Sequence, residues 1–461
     1  MTKPTLSTFL AAGGILMSGL ITNGEAPLNL LLIIADDCTF TDTEVYGGQA
    51  KTPNMVKLAS EGMKFNKCFQ SAPMCSPTRH SLYTSLYPIK SGAWPNHTYV
   101  YDGVKSVAHY LSKAGYRVAL SGKTHINPPE AFPFEYSKVK ENRSTNPDFQ
   151  AVEELMSECR QSETPFGLIL CSNEPHGPWN QGDPSAYDAK NLKLPPIYID
   201  TPELREAFPK YLAEITYFDS QVGKAMDLLD RLGIRDNTLV VVLTEQGNSL
   251  PFAKWTCFDK GLASGMIIRW PGRINPGSIS NALVEYVDII PTFMAAAGID
   301  LPNGLDGKPF TNVLQETQSS HKDYVFGLQT TRGIINGSDQ FGIRSVRDTR
   351  YRYILNLNSD TKFTNAATRG AIWKSWTTLA ETGSTHAKNL VNKYQHRPTV
   401  ELYDCIKDPW NLKNLANDPT HTETKNRLRH ELDAWMKSQG DQGAATELAA
   451  SKRLWKNRNK Q

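Results

Sequence analysis

The feature that most restricts the fold is a series of short apolar runs, each set apart by segments of helical period. Leu28–Ala35 (LNLLLIIA) is almost continuously apolar and of strand length. A strand with no polar face suits the middle of a parallel sheet covered by helices on both sides. Thr52-Pro53 then opens a helix, with Thr as N-cap, Pro at the first helical position and Gly62 just past the end. Val107–Ala114 reads as a helix closed by Gly115, and Tyr116–Ser121 and Phe166–Cys171 as strands. Tyr211–Leu232 is a long amphipathic helix ending at Gly233, followed by the strand Thr238–Thr244. Gly265–Trp270 and Val287–Ala297 add one more strand and helix. This alternation predicts an α/β fold built on a large, mostly parallel sheet flanked by helices.

From about Glu316 the texture changes. Phe341–Leu357 alternates apolar and polar residues as antiparallel strands do, Glu401–Cys405 reads as another strand and Thr422–Lys437 as a closing helix. Asn365–Gln395 is polar and weakly patterned, which predicts a loop-rich excursion, and the basic tail after Gly440 reads as a frayed end. The expected organisation is a main domain over 27–315 and a smaller C-terminal subdomain over 316–461, an antiparallel sheet plus helix. Ahead of both, Lys3 and the apolar stretch Phe9–Ile21 read as a signal peptide ending near residue 26. That stretch is shorter than the roughly 20 residues of a membrane span, so a periplasmic or secreted protein is expected, with no span. A net charge of +3 over 461 residues gives no electrostatic case for nucleic acid. The seven cysteines form no close pair and no metal-ligand spacing, and their pairing is not readable from sequence.

In open α/β sheets, ligands bind beyond the carboxyl ends of the strands. The residues in those places are Asp36 and Asp37, Lys123 and His125, Glu174 and His176, and Glu245 and Gln246. Singly, each suits a turn or a solvated loop. Four strands that end in charged or metal-capable residues suggest one shared site.

The most specific segment is Cys75-Ser76-Pro77-Thr78-Arg79, leading into a run of small residues and Tyr87-Pro88. With Asp36-Asp37, Thr52-Pro53-Asn54, Gly-Lys-Thr-His at 122–125, Pro-His-Gly-Pro at 175–178 and Glu245-Gln246-Gly247, the chain resembles the type I sulfatases of the alkaline-phosphatase-like superfamily. The resemblance runs from about residue 28 to 437. It implies that a maturation enzyme oxidises Cys75 to formylglycine, whose hydrate attacks sulfur with one hydroxyl and expels sulfate with the other. It also implies one Ca²⁺ held by Asp36, Asp37, Glu245, Gln246 and an oxygen of converted Cys75, all hard ligands of the kind calcium takes. The usual family pattern has Asp then His or Asn where this chain has Glu245-Gln246. Arg79 would steady the nucleophile, Lys123 and Lys254 would clamp sulfate oxygens, His125 would deprotonate the second hydroxyl, and His176 would protonate the leaving alcohol. Lys260 competes with Lys254 for its role.

Trp94, His97, Trp179, Arg332 and Arg397 are candidates for the substrate rim, since indoles stack on sugars and Arg pairs with acidic groups. A sulfated polysaccharide or oligosaccharide is the expected substrate, with a carrageenan-type galactan first and glycosaminoglycan next. The alternatives are a phosphodiester or phosphonate hydrolase on the same fold, and a non-catalytic sugar-binding relative.

Overall fold

The computed structural model describes residues 26–136 and 145–460. The expected signal peptide therefore lies outside the described residues, apart from Ala26. Strand β1 (Asn29–Ile34) sits in the middle of the larger sheet, paired in parallel with β5 (Phe166–Cys171) on one side and β6 (Thr238–Leu243) on the other. Beyond β5 lie β3 (Arg117–Gly122) and the short β4 (Glu135–Tyr136), both parallel. Beyond β6, β7 (Ala263–Arg269) runs antiparallel, and β2 (Met63–Phe69) returns to the common direction with β8 (Ser278–Ser280) and β9 (Val284–Glu285) beside it. Only β7 is reversed among the described strands of this sheet, which has the alkaline-phosphatase-like architecture.

The apolar run of β1 is buried on both faces. Leu31 and Ile33 pack into the core beneath the helices Phe149–Gln161 and Pro202–Arg231. Leu30, Leu32 and Ile34 pack on the opposite side, with the helices Cys75–Thr84, Val107–Lys113 and Ile289–Ala296. A second sheet is antiparallel throughout, in the order β10 (Val325–Thr330), β11 (Gly342–Arg347), β12 (Tyr351–Asn356) and β13 (Val400–Asp404). The helix Thr422–Ser438 covers it through Leu428, Leu432 and Trp435, whose ring stacks on Phe326 at 5.0 Å.

Several expectations are corrected. The helix Pro53–Glu61 does begin after Thr52, yet the Thr52 side chain makes no cap. Asp219, on the long helix, accepts the backbone N–H groups of Asn54 (3.1 Å) and Met55 (2.8 Å) in its place. The long helix starts at Pro202, nine residues before the expected Tyr211, and contains Pro209. Thr201 supplies its N-cap by accepting from Leu204 N, and Pro209 misled the reading because an interior proline usually ends a helix. Residues 365–395 are not a loop-rich excursion: Ala371–Glu381 and Thr385–Gln395 form a helical hairpin anchored by Trp373, Trp376 and Tyr394. Nor is the tail frayed. Arg453 lies 3.9 Å over the Tyr99 ring and donates to Gly92 O and Tyr99 O, and Trp455 N donates to His97 O. All seven cysteines are buried and none forms a disulfide.

Arg397 and Trp94 do not edge any cleft. Arg397 is buried between Phe258 (4.3 Å) and Phe363 (5.7 Å) and ion-paired with Glu401 at 2.6 Å, and Trp94 is packed in the core that joins the two sheets. Removing one partner of such a pair leaves the other as an uncompensated buried charge. Arg397→Ala should therefore cost about 3–5 kcal/mol in chemical denaturation, while the KM of the protein that remains folded stays unchanged.

Candidate active site

The parallel strands deliver the expected residues to one edge. Asp36 and Asp37 follow β1, Lys123 follows β3, His176 follows β5, and Glu245 and Gln246 follow β6. Asp37, His125 and Glu245 have positive φ (62°, 54° and 59°), a conformation that non-glycine residues hold only where surrounding structure enforces it. Gly122, at φ 97°, is required for a second reason: a Cβ there would lie 2.0 Å from Cys171 O.

Cys75 is the first residue of a helix whose every residue is buried, so the positive end of the helix dipole faces the site. Its Sγ lies 3.1 Å from Gln246 Nε2, 3.3 Å from Lys254 Nζ, 3.7 Å from Asp37 Oδ1 and 4.0 Å from Lys123 Nζ. Around it, three carboxylates meet three cations. Lys123 pairs with Asp36, Lys254 with Asp37 at 2.6 Å, and Arg79 Nε with Glu245 at 2.9 Å. Burial works against the charge on Asp37, yet Lys254 and His176 outweigh it and hold the carboxyl below its ordinary range. Burial dominates at Glu245, which is raised although Arg79 and Lys123 oppose the shift. Lys123 is pushed down to about 7 by burial and by Lys254, whereas Asp37 and Cys75 overcome burial to hold Lys254 protonated.

Burial also pushes the Cys75 thiol up to about 12, with Asp37 and Glu245 adding to it against Lys254. The encoded cysteine is therefore a neutral thiol near pH 7, a poor nucleophile as it stands.

The donor set fits a hard cation. Ligand atoms of Asp36, Asp37, Cys75 and Glu245 all lie within 4.8 Å of one another. Asp36 Oδ1, Glu245 Oε2 and Gln246 Oε1 are buried with no hydrogen-bond donor, oxygens that calcium would satisfy. The extra methylene of Glu245 still brings its carboxylate to the same point, while Gln246 turns its Nε2 to Asp37 Oδ1 at 2.6 Å, so its amide would have to turn over to offer its oxygen.

The other candidates separate cleanly. His125 Nε2 lies 2.9 Å from His97 Nδ1, so one proton is shared between the rings. Burial and nearby cations lower both histidines. His176 Nδ1 donates to Gly177 O at 2.8 Å, which leaves Nε2 facing Asp37 at 3.7 Å. Burial lowers His176 to about 3 against the pull of Asp37. Lys260 is elsewhere, bonded to Thr41 and 4.2 Å over the Trp410 ring, so Lys254 is the lysine beside Cys75.

These groups open into a pocket of about 500 Å³. His97 lines it, as do Trp255 and Gly333–Ile335, which the sequence did not single out. Trp255 carries a signal in retrospect, being adjacent to Lys254 and 5.0 Å beneath its ammonium. Arg332 precedes the lining loop, but its guanidinium turns to Asp339 at 3.2 Å. Trp179 lies in an adjoining groove. A larger surface cavity of about 730 Å³, near Tyr110 and Asp300, contains none of these residues.

A buried cysteine at a helix N-terminus, lysines on both sides and a carboxylate cage behind it make a site for an anionic ester. The family model described as Sulfatase matches residues 28–299, and one described as N-sulphoglucosamine sulphohydrolase, C-terminal, matches 247–363. The chain belongs to the sulfatase family, and so is a sulfuric ester hydrolase. It is 32% identical over 426 residues to an "Ulvan-active sulfatase" of Formosa agariphila, covering 90% of this chain and 80% of that one. It is 26% identical to human N-sulphoglucosamine sulphohydrolase, covering 89% and 90%. Among solved structures, a protein in complex with its substrate D-glucosamine-2-N,6-O-disulfate superposes with a TM-score of 0.67 at 16% identity, over 91% of this chain and 99% of that one.

A ligand that binds only the folded state stabilises it by mass action. Calcium at about 100 times its Kd should add about 2.7 kcal/mol, seen as a rise in Tm that magnesium does not match. Asp37→Asn should lose most of that rise.

Proposed function

We propose that the protein removes sulfate from a sulfated polysaccharide or its oligosaccharides outside the cytoplasm, using Ca²⁺ and a formylglycine made from Cys75. The observation that carries this reading is the setting of Cys75: a buried helix N-terminus flanked by Lys123 and Lys254 and backed by donor-free carboxylate and amide oxygens. Among substrates we place ulvan ahead of the carrageenan-type galactan and glycosaminoglycans expected from sequence. The support is the 32%-identical relative that is named ulvan-active.

Formylglycine, formed by a maturation enzyme, would supply the hydrated aldehyde that attacks sulfur, and calcium would polarise the sulfate and that nucleophile. Asp36, Asp37, Glu245 and Gln246 would hold the ion. The chain's own groups do the rest. Lys123 and Lys254 lie on either side of Cys75 and face the sulfate oxygens, where fixed cations stabilise the charge that grows as the S–O bond breaks. Arg79 holds Glu245 in place from the next turn of the helix and opposes the upward shift that burial imposes on it. His125 accepts a proton at the nucleophile and, through His97, is linked to the pocket mouth.

His176 is the proton donor to the leaving alcohol. Its Nδ1–H is committed to Gly177 O, so the proton it delivers must sit on Nε2. Neutral in the free protein, with its one N–H at Nδ1, it must take up a second proton from solvent at Nε2 before it can donate one, and the incoming sulfate's negative charge raises its proton affinity for that uptake.

The test is sulfate release from ulvan, carrageenan and glycosaminoglycan oligosaccharides, with protein co-expressed with a formylglycine-generating enzyme. Activity on one class, reduced to background by Cys75→Ala, supports the reading. Hydrolysis of phosphodiesters or phosphonates, with no sulfate released from the sugars, would assign the site to phosphorus chemistry, and sugar binding without turnover of either would make it a sugar-binding protein. His176→Ala should lower kcat on a sugar sulfate by about 10²–10⁴ and much less on nitrophenyl sulfate, whose leaving group needs no proton.

A further inference from the structure

The catalytic pocket does not end at its own walls. Ser249 and Ala366 line both it and a neighbouring groove of about 450 Å³, so the two spaces adjoin across these residues. The groove lies between the start of the helix Pro202–Arg231 and the hairpin that begins at Ala371.

One wall is aromatic, formed by half-buried Trp179 with Trp373. The Trp179 ring is held in place: its indole N–H donates to Pro175 O at 2.9 Å, and the ring lies against Tyr211 at 5.3 Å. An indole fixed in this way loses little freedom when a sugar ring stacks on it. The start of the helix Pro202–Arg231 adds Glu203 and Glu206 to the lining, and the lysine beside them, Lys210, is already paired with Glu206 at 2.8 Å. The catalytic pocket thus presents cations while the groove presents an excess of carboxylate. A ring bearing sulfate or a uronate would meet Glu203 as a like charge. A neutral ring would offer hydroxyl donors to the same carboxylates.

Resting on the reading of the pocket as a carbohydrate sulfatase site, we propose that this groove binds uncharged sugar rings of the same chain, next to the sulfated ring under attack. The recognised unit is then an oligosaccharide in which a sulfated residue is joined to neutral ones. An isolated sulfated monosaccharide, or a run of consecutive charged rings, is a poor substrate.

The experiment measures kcat/KM on sulfated mono-, di- and tetrasaccharides, in one series with neutral neighbouring rings and in another with sulfated or uronate neighbours. In the neutral series kcat/KM should rise about tenfold or more with length, mainly through KM, and in the charged series it should not. Ala371→Trp, at the exposed start of the hairpin, should bring the tetrasaccharide-to-monosaccharide ratio close to one. Glu203→Gln combined with Glu206→Gln should raise the charged series toward the neutral one. Equal values at all lengths, a gain that survives Ala371→Trp, or a charged series left unmoved by the double Gln variant overturns the groove's role and leaves the sulfatase activity standing. Sulfate release from none of the sugars, with nitrophenyl sulfate still hydrolysed, overturns the carbohydrate reading and the groove's role with it.

Discussion

The arrangement around Cys75 depends on burying six charges in one another's company. Asp36, Asp37 and Glu245 are each matched by a cation, Lys123, Lys254 and Arg79, and none of the six reaches bulk solvent. A single one of these charges left unpartnered would cost several kcal/mol, so the six groups stand or fall together. They come from the ends of β1, β3 and β6, from the buried helix and from the loop after β6, which obliges the parallel strands to end at a common level. The pairing also couples two binding events. Each carboxylate oxygen taken by a calcium ion frees a lysine or arginine to face an anion, so cation and sulfate would favour each other's arrival.

Much of this was legible in the sequence, because the parallel core is written in local patterns. The strands β1, β5 and β6 are nearly unbroken apolar runs, and the charged residues that follow them stand out against those runs. What failed to show was structure made by distant partners. The cap on the helix Pro53–Glu61 comes from Asp219, far along the chain, and the tail is pinned by Arg453 on Tyr99 rather than by an apolar stripe. The hairpin after residue 370 is buried through Trp373 and Trp376 on one helix and Ala387, Leu390, Val391 and Tyr394 on the other, a helical spacing diluted by the many polar residues between them. Arg397 and Trp94 looked like rim residues for a related reason: side-chain chemistry alone does not reveal which way a residue faces.

The same division separates chemistry from selection. The groups within hydrogen-bond reach of Cys75 come from segments that directly follow strands of the larger sheet, whereas much of the pocket mouth is formed by the loop after β10 and by Ala366. The tail reinforces this outer rim by holding the backbone of His97 through Trp455. Relatives can keep the sulfur chemistry while varying the outer segments, which accords with a family whose members differ in the sugar they take.

The burial of Cys75 also sets a clock. Cys75 is 3% exposed and sits in a helix with no exposed residue, so an enzyme that oxidised it, as the proposed function requires, would have to reach it before the fold closes. Closure requires β5 and β6, since β1 has no neighbours until they arrive. Synthesis from residue 75 to Gln246 takes roughly 10–30 s at about 5–20 residues per second. The order of strands along the chain, with the central one made first and both its partners made well after residue 75, would therefore hold open an interval in which the cysteine is still within an unfolded, reachable segment.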